Sequence, residues 1–508
     1  MPLASPPSAL RPRNRPAVGL ADLFPGAGRE QVRGITLDSR LVGPGDLYVA
    51  LPGRHHHGAE FTPAAAAAGA TAVLTDPAGA RLAAGTAVPV VVVDDPRQAM
   101  AETAAAIYGR PAEAMTMYAV TGTNGKTTTT FLVDAALRAA GVRTGLVGTI
   151  GYFLDGQALP APRTTVTTPE ATELQGLLGY LHEQGAEAAL MEVSSHALTL
   201  GRVDAIVFAV AAFTNLGRDH LDFHLDEEAY FEAKASLFTP ERSRQAVVNV
   251  DDPRGRQLAE RVAAEGSVEL TTVSLGGTTD AAALSCELQD DGRTAVRARL
   301  RSRPVTFTLG LPGAFNVRNA ITALAMVDAT DGDVDAAAVG LAGASVPGRM
   351  QRVDLGADAP VVYVDFAHTP QAVTAALEAV GSRRRIAVLG CGGDRDPAKR
   401  QPMGAAAAQH ADLVVVTDDN PRSEDPATIR AEVLAGARAA TGTSEVVDGG
   451  DRRSAIRLAL QRARPGDVVA VLGKGHELGQ EVGGTVLPFS DAEVVAAEWV
   501  AVAGEEPR

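Results

Sequence analysis

Short apolar runs alternate with Ala-rich amphipathic stretches along almost the whole chain, which predicts strands and helices in turn. In the first hundred residues Asp46–Leu51, Ala72–Thr75 and Val88–Val93 read as strands. Pro63–Ala68 and Arg97–Ile107 read as helices, closed by the Tyr108-Gly109-Arg110-Pro111 break. A second series starts with strand Met117–Thr121 and helix Thr127–Ala140, stopped by Gly141. Strands Leu146–Ile150, Ala188–Val193 and Ile206–Phe213 follow. Later in this series Ala295–Arg301 alternates apolar and charged residues, the mark of a half-exposed antiparallel strand, and helix Asn316–Val327 comes after it. A third series, from near Gly348, interleaves strands Val361–Asp365, Ile386–Leu389, Leu413–Thr417 and Val468–Leu472 with helices Gln371–Val380, Ala427–Ala440, Arg453–Arg462 and Ala492–Val502. Such alternation implies an α/β fold with parallel, doubly wound sheets and ligands at the carboxyl ends of strands.

The pattern divides the chain into a Pro- and Arg-rich disordered tail over 1–18, a small α/β domain over 19–112, a central domain with a mostly parallel sheet over 113–346 and a C-terminal doubly wound domain over 347–508. A length of 508 residues agrees with about three domains. A net charge of −15, without a large basic patch, weighs against binding to a nucleic-acid backbone. Cys286 and Cys391 are the only cysteines, too few for a disulfide framework or a four-thiolate zinc site, which fits a reducing compartment. The leader lacks the apolar core of a signal peptide, and the longest apolar run, Ala205–Phe213, is too short to span a membrane. A cytoplasmic protein is expected.

Chemistry enters at Gly122-Thr123-Asn124-Gly125-Lys126-Thr127-Thr128, between a strand and a helix. Glycines there let backbone N–H groups approach phosphate oxygens, and the helix N-terminus adds its dipole. Lys126 would neutralise β/γ charge and the Thr127 hydroxyl would ligate Mg²⁺. The usual spacing asks for Gly where Val120 stands. Glu192 ends a strand downstream and offers the hard oxygen ligand that Mg²⁺ prefers; Ser195 follows it, and His220 lies in the polar stretch after the next strand. Lys234, by position alone, reads as a solvated helix lysine. Gly390-Cys391-Gly392-Gly393-Asp394-Arg395 also follows a strand, but Arg395 occupies the third glycine of a dinucleotide fingerprint, so a nicotinamide reading is rejected; an anion-binding turn and a purely structural turn remain open. His55-His56-His57 reads as an irregular surface loop or a metal-binding hint.

Together these segments resemble the Mur ligase family from Asp22 onward, and Gly122–Thr127 matches that family's own phosphate loop, departure at Val120 included. The resemblance implies three domains, the middle one a P-loop ATPase and the last Rossmann-like, and an ATP-dependent acid–amino-acid ligase of peptidoglycan synthesis. Its expected substrates are UDP-N-acetylmuramoyl-L-alanyl-D-glutamate and diaminopimelate, its cofactors ATP and Mg²⁺, its state a monomer without membrane insertion. Thr127, Glu192, His220 and Lys234 would form the metal centre, with Lys234 carbamylated to N6-carboxylysine. Asn316, Asn319, Arg349, Asp365 and His368 match nucleotide contacts, with Gly348-Arg349-Met350 as a hinge. Ser39, in Thr36–Arg40, matches a uridine-diphosphate contact, and Thr167, Thr168, Ser195 and Arg202 match contacts to the muramoyl dipeptide. Asp419-Asn420-Pro421-Arg422 resembles the signature for diaminopimelate over lysine, because a guanidinium grips a distal carboxylate bidentately. Arg395, Gly473 and Glu477 would complete that pocket, Glu477 facing the distal ammonium. Three rivals stand beside this reading: L-lysine as acceptor, a folylpolyglutamate-type ligase, and a P-loop NTPase acting as a switch.

Overall fold

The computed structural model describes residues 10–160, 166–217, 219, 223–356, 359–440, 442 and 444–504. Two compact units divide it: Met1–Ala282, Arg299–Val305 and Asn319–Gly340 in the first, Ala283–Ala298, Thr306–Arg318 and Leu341–Arg508 in the second.

The first unit opens on four parallel strands in sequential order, β1 (Gly34–Thr36), β2 (Asp46–Ala50), β3 (Ala72–Thr75) and β4 (Val90–Val92). Helix Pro96–Ile107 covers them. Asp95 caps its first turn, Pro96 fits the first helical position, and Met100, Ala101, Ala104 and Ile107 bury against Leu47, Val49 and Leu74. The leader expected as a disordered tail makes defined contacts from Leu10 on. Arg11 pairs with buried Asp46 at 2.8 Å and also donates to the Ile35 carbonyl, and the Arg13 and Asn14 N–H groups bond Glu183. Prolines disfavour a helix there, but an extended segment needs none.

The sheet that follows contains β5 (Thr116–Thr121), β6 (Thr144–Gly148), β7 (Ala188–Glu192), β8 (Phe208–Phe213), β9 (Ser243–Asn249) and β10 (Glu269–Ser274), all parallel, in the order β6-β7-β5-β8-β9-β10. The chain leaves β5 towards one side and later returns to its other side at β8, so β5 sits at the point where strand order reverses. In open α/β sheets that crevice is where ligands bind. Strand Thr294–Leu300 shows the predicted alternation, burying Thr294, Val296, Ala298 and Leu300 between less buried residues.

In the second unit β11 (Val361–Asp365), β12 (Arg385–Leu389), β13 (Leu413–Thr417), β14 (Glu445–Gly450) and β15 (Val468–Leu472) pair in parallel in the order β11-β15-β12-β13-β14, with Gln351–Val353 antiparallel on the β11 edge. Successive residues of each strand enter two cores. Ala387, Leu389, Val414, Val416, Ala470 and Leu472 face one layer of helices, while Ile386, Val388, Leu413, Val415, Val469 and Val471 face the other. Fully burying a Val or Leu side chain is worth about 1.5–3 kcal/mol, and two buried faces are why these strands read as unbroken apolar runs.

Candidate functional site

Three adjacent strands deliver the first group of side chains. Val120 of β5 lies in register with Glu192 at the end of β7, and Thr121 with Phe213 at the end of β8. Beyond β5 the loop turns at Gly122 (φ 144°), where a Cβ would collide with Thr214, and at Gly125 (φ 88°), the N-cap of helix Lys126–Ala139. A glycine cap brings no side chain, so the helix's first N–H groups stay available to an anion. The loop is braced from β8: Asn215 exchanges hydrogen bonds with the Asn124 backbone at 3.0 Å, and Thr214 donates to the Asn124 carbonyl at 2.6 Å. Lys126 folds back to the carbonyls of Gly122 (2.9 Å) and Thr123 (3.0 Å), and the Asn319 amide lies against Gly125.

Glu192 is fully buried yet well supplied with donors. Its carboxylate accepts from the Thr127 hydroxyl (2.8 Å), the Thr149 N–H (2.8 Å) and the Thr149 hydroxyl (3.0 Å). Thr168 donates to the Glu192 carbonyl at 2.8 Å, Thr167 accepts from Thr149 at 3.1 Å, and Arg202 holds the Thr168 carbonyl and Glu170 at 2.9 and 2.7 Å. Ser195 meets His224 at 2.9 Å. Thr149, His224 and Glu170 were not singled out in the sequence; Thr149 had a signal, since it directly follows β6, the strand beside β7.

Lys234 lies in helix Glu227–Ala235 and is not the solvated lysine its position suggested. It is 1 % exposed, donates to the Gly122 carbonyl at 2.9 Å and rests 4.6 Å from the Tyr230 ring. Burial, then the nearby Lys126 charge, pushes its pKa well below the usual lysine value. His220 lies outside the described residues. Among those described, no cluster of three or more His, Cys, Asp or Glu is arranged for a metal. The Thr127 hydroxyl and Glu192 carboxylate, 2.8 Å apart, nevertheless suit Mg²⁺, which takes few protein oxygens and completes its shell with water and phosphate. Two of the three histidines have partners within their own domain: His57 accepts from the Ala59 N–H and pairs with Asp76, and His56 pairs with Glu60. Ser39 follows Asp38, which grips Arg40 at 2.7 Å.

The second unit carries the other group, at the ends of β11, β15, β12 and β13, four neighbours in its sheet. After β11, Asp365 accepts the N–H groups of Met350 (2.7 Å) and Ala367 (2.8 Å), and burial raises its pKa against the pull of Arg349. The Arg349 guanidinium lies 4.3 Å from the Phe366 ring, and His368 bonds the Phe366 carbonyl at 2.7 Å. Asn316 donates to the Pro312 carbonyl at 2.7 Å. After β13, Arg422 (φ 53°) donates to the Gly393 carbonyl at 2.6 Å and pairs with Glu481 at 3.2 Å; exposed Arg395 lies on the neighbouring turn. Asn420 donates to Glu477 at 2.8 Å, and Asp419 crowds Gly473 so closely that a Cβ there would lie 2.5 Å from its carboxylate. Beneath them Arg452 and Asp491, both fully buried, form a bidentate pair at 2.7 Å, and Arg452 also donates to the carbonyls of Leu472 (3.0 Å) and Asp418 (3.4 Å).

Descriptions of three families match in turn: "Mur ligase family, catalytic domain" over residues 31–108, "Mur ligase middle domain" over 120–327 and "Mur ligase, glutamate ligase domain" over 348–475. The chain belongs to the Mur ligase family. It is 48 % identical, over 96 % of its length and 97 % of the relative's, to the UDP-N-acetylmuramoyl-L-alanyl-D-glutamate–2,6-diaminopimelate ligase of Streptomyces coelicolor. The protein of the same name from Corynebacterium glutamicum is 45 % identical, with 92 % of each chain covered. A solved structure of a ligase of that name superposes with a TM-score of 0.70 at 33 % identity, over 96 % of this chain and 99 % of the other. As a Mur ligase the protein is an ATP-dependent, amide-bond-forming enzyme. No helix among the described residues is long and apolar enough to cross a membrane.

Proposed function

We propose that this Mur ligase joins diaminopimelate to the D-glutamate γ-carboxylate of UDP-N-acetylmuramoyl-L-alanyl-D-glutamate, using ATP, as a cytoplasmic monomer in peptidoglycan precursor synthesis. A carboxylate does not condense with an amine unaided, because its oxygen leaves poorly. The γ-carboxylate attacks the γ-phosphorus, forming an acyl phosphate and releasing ADP; the acceptor amine then attacks the acyl carbon, and the tetrahedral intermediate expels phosphate. Lys126 and the open N-terminus of its helix neutralise charge on the transferred group. Thr127 and Glu192 would hold Mg²⁺, with His220 completing the ligand set, and the bound ion supplies further neutralisation of phosphate charge. Lys234, buried and with its pKa pushed down, is suited to add CO₂ as the free amine: its lone pair bonds the carbon, a proton leaves, and the product carbamate is an anion close to the Lys126 charge. Thr167, Thr168, Ser195 and Arg202, gathered around the end of β7, are assigned to the dipeptide, and Ser39 to the uridine diphosphate.

One observation carries the acceptor's identity. The turn Asp419–Arg422 presents a guanidinium, while Asn420 on the same turn is tied to Glu477. A cation and an anion on neighbouring loops are what the distal carboxylate and ammonium of diaminopimelate require. The test is phosphate release with UDP-muramoyl dipeptide and ATP while the amino acid is varied. Release that depends on diaminopimelate and is weak with L-lysine is expected; a preference for lysine, or release without any acceptor, would overturn the assignment.

A further inference from the structure

The loop after β15, Gly473-Lys474-Gly475-His476-Glu477, contains a lysine with no solvent exposure. Its ammonium has three N–H groups and meets three acceptors: Asn420 Oδ1 at 3.0 Å, Glu477 Oε2 at 2.9 Å and the Gly479 carbonyl at 2.7 Å. Every donor is spent inside the protein, so Lys474 does not contact substrate. The same contacts decide how its neighbours are presented. Glu477 Oε2 accepts from both Lys474 and the Asn420 amide, and among the described residues nothing bonds Oε1. Asn420 Oδ1 accepts from Lys474 and from the Glu481 N–H, which fixes the amide so that its nitrogen points at Glu477. Glu481 in turn pairs with Arg422. One buried ammonium therefore ties the Asp419–Arg422 turn, Glu477 and strand Gly479–Val482 into one framework.

We propose that Lys474 is a positioning residue for acceptor selection: it locks Glu477 with Oε1 turned out as the acceptor for the distal ammonium of diaminopimelate. This rests on the acceptor assignment above. Breaking hydrogen bonds to a charged group typically costs enough to change an affinity by tenfold or more. The effect should be confined to ligands that carry the ammonium Glu477 reads.

The test measures phosphate release for the full chain and its Lys474→Met, Glu477→Gln and doubly substituted forms, with ATP, UDP-muramoyl dipeptide and acceptor each varied. Acceptors are diaminopimelate and 2-aminopimelate, which keeps the distal carboxylate but lacks the distal amine. Lys474→Met should raise KM for diaminopimelate by about tenfold or more, change KM for 2-aminopimelate little, and leave KM for ATP and the dipeptide in place. In the Glu477→Gln background the same substitution should add little. An unchanged KM for diaminopimelate, equal losses with both acceptors, or additive effects would overturn the proposal. Should Lys474→Met not fold, Lys474→Gln, which keeps a donor, takes its place under the same criteria. Failure of the acceptor assignment would instead show in the unaltered protein, as phosphate release indifferent to diaminopimelate, and would remove this inference with it.

Discussion

At the scale of single residues, one carbonyl oxygen organises the phosphate loop: that of Gly122 accepts from Lys126 and Lys234, both at 2.9 Å. Burial, and then the repulsion between two amine groups that share one oxygen, pulls the Lys234 pKa down. With its folded pKa below the unfolded value, Lys234 is protonated in the unfolded chain over a range where the folded chain has released the proton, so stability rises with pH across that range. Lys234→Met should therefore be more stable than the unaltered protein at neutral pH, with the gain shrinking as pH rises towards 10.5; urea unfolding at several pH values reads this out, and a gain independent of pH would contradict it. Lys126→Ala should abolish ATP turnover while leaving the thermal midpoint within a few degrees, checked by phosphate release and calorimetry. Arg422→Ala should lower kcat/KM far more with diaminopimelate than with 2,6-diaminohexanoate (lysine), by about tenfold or more, and equal losses would refute its grip on the distal carboxylate. Lys126, Thr127 and Glu192 were legible in the sequence because their chemistry follows from strand, loop and helix order. Lys234 was legible only through the family resemblance, since its burial depends on a tertiary contact with Gly122 that no local pattern encodes.

At the scale of elements, strands buried on both faces announced themselves, as did the regular alternation of Thr294–Leu300, whereas strands that mix polar and apolar residues irregularly did not. The strand Val361–Asp365 matches its expected bounds, whereas Ser243–Asn249 and Glu269–Ser274 passed unread, because three consecutive apolar residues at most mark either one. Helix Arg400–His410 was missed for a different reason: Pro402 and Gly404 look like breakers. Pro402 falls in the first turn, where its missing N–H costs nothing, and Gly404 permits contact with helix Pro426–Ala439, since a Cβ there would collide with the Val433 carbonyl. The buried Arg452–Asp491 pair joins helix Arg452–Arg462 to helix Asp491–Gly504. Asp491→Ala would strand a guanidinium without its counter-charge, and a loss of about 3–5 kcal/mol is expected in denaturant unfolding; a loss under ~1 kcal/mol would mean that water or a neighbour replaces the carboxylate.

At the scale of the whole molecule, a polypeptide of net charge −15 that uses ATP must meet the triphosphate with local cations and not through a general field. Nucleotide binding should show as global stabilisation by mass action: Mg²⁺ and ADP at a hundred times the dissociation constant add about 2.7 kcal/mol, seen as a raised thermal midpoint. Lys126→Ala should lose that shift while keeping any shift caused by the UDP-muramoyl dipeptide. The α/β architecture was legible from alternation alone, but the contacts of residues 10–14 were not, since their partners Asp46 and Glu183 lie far along the chain.

That leader has a practical side. Asp46 is 3 % exposed and sits at the start of β2, with Arg11 as its guanidinium partner. A form of the protein shortened to begin at Gly19, as prepared for crystallisation or after cleaving a fusion tag, would retain every assigned reactive group yet leave a hidden carboxylate without its counter-charge in the N-terminal four-stranded sheet. Lower yield and easier unfolding of that shortened form would then reflect a missing arginine, not an unsuitable domain boundary.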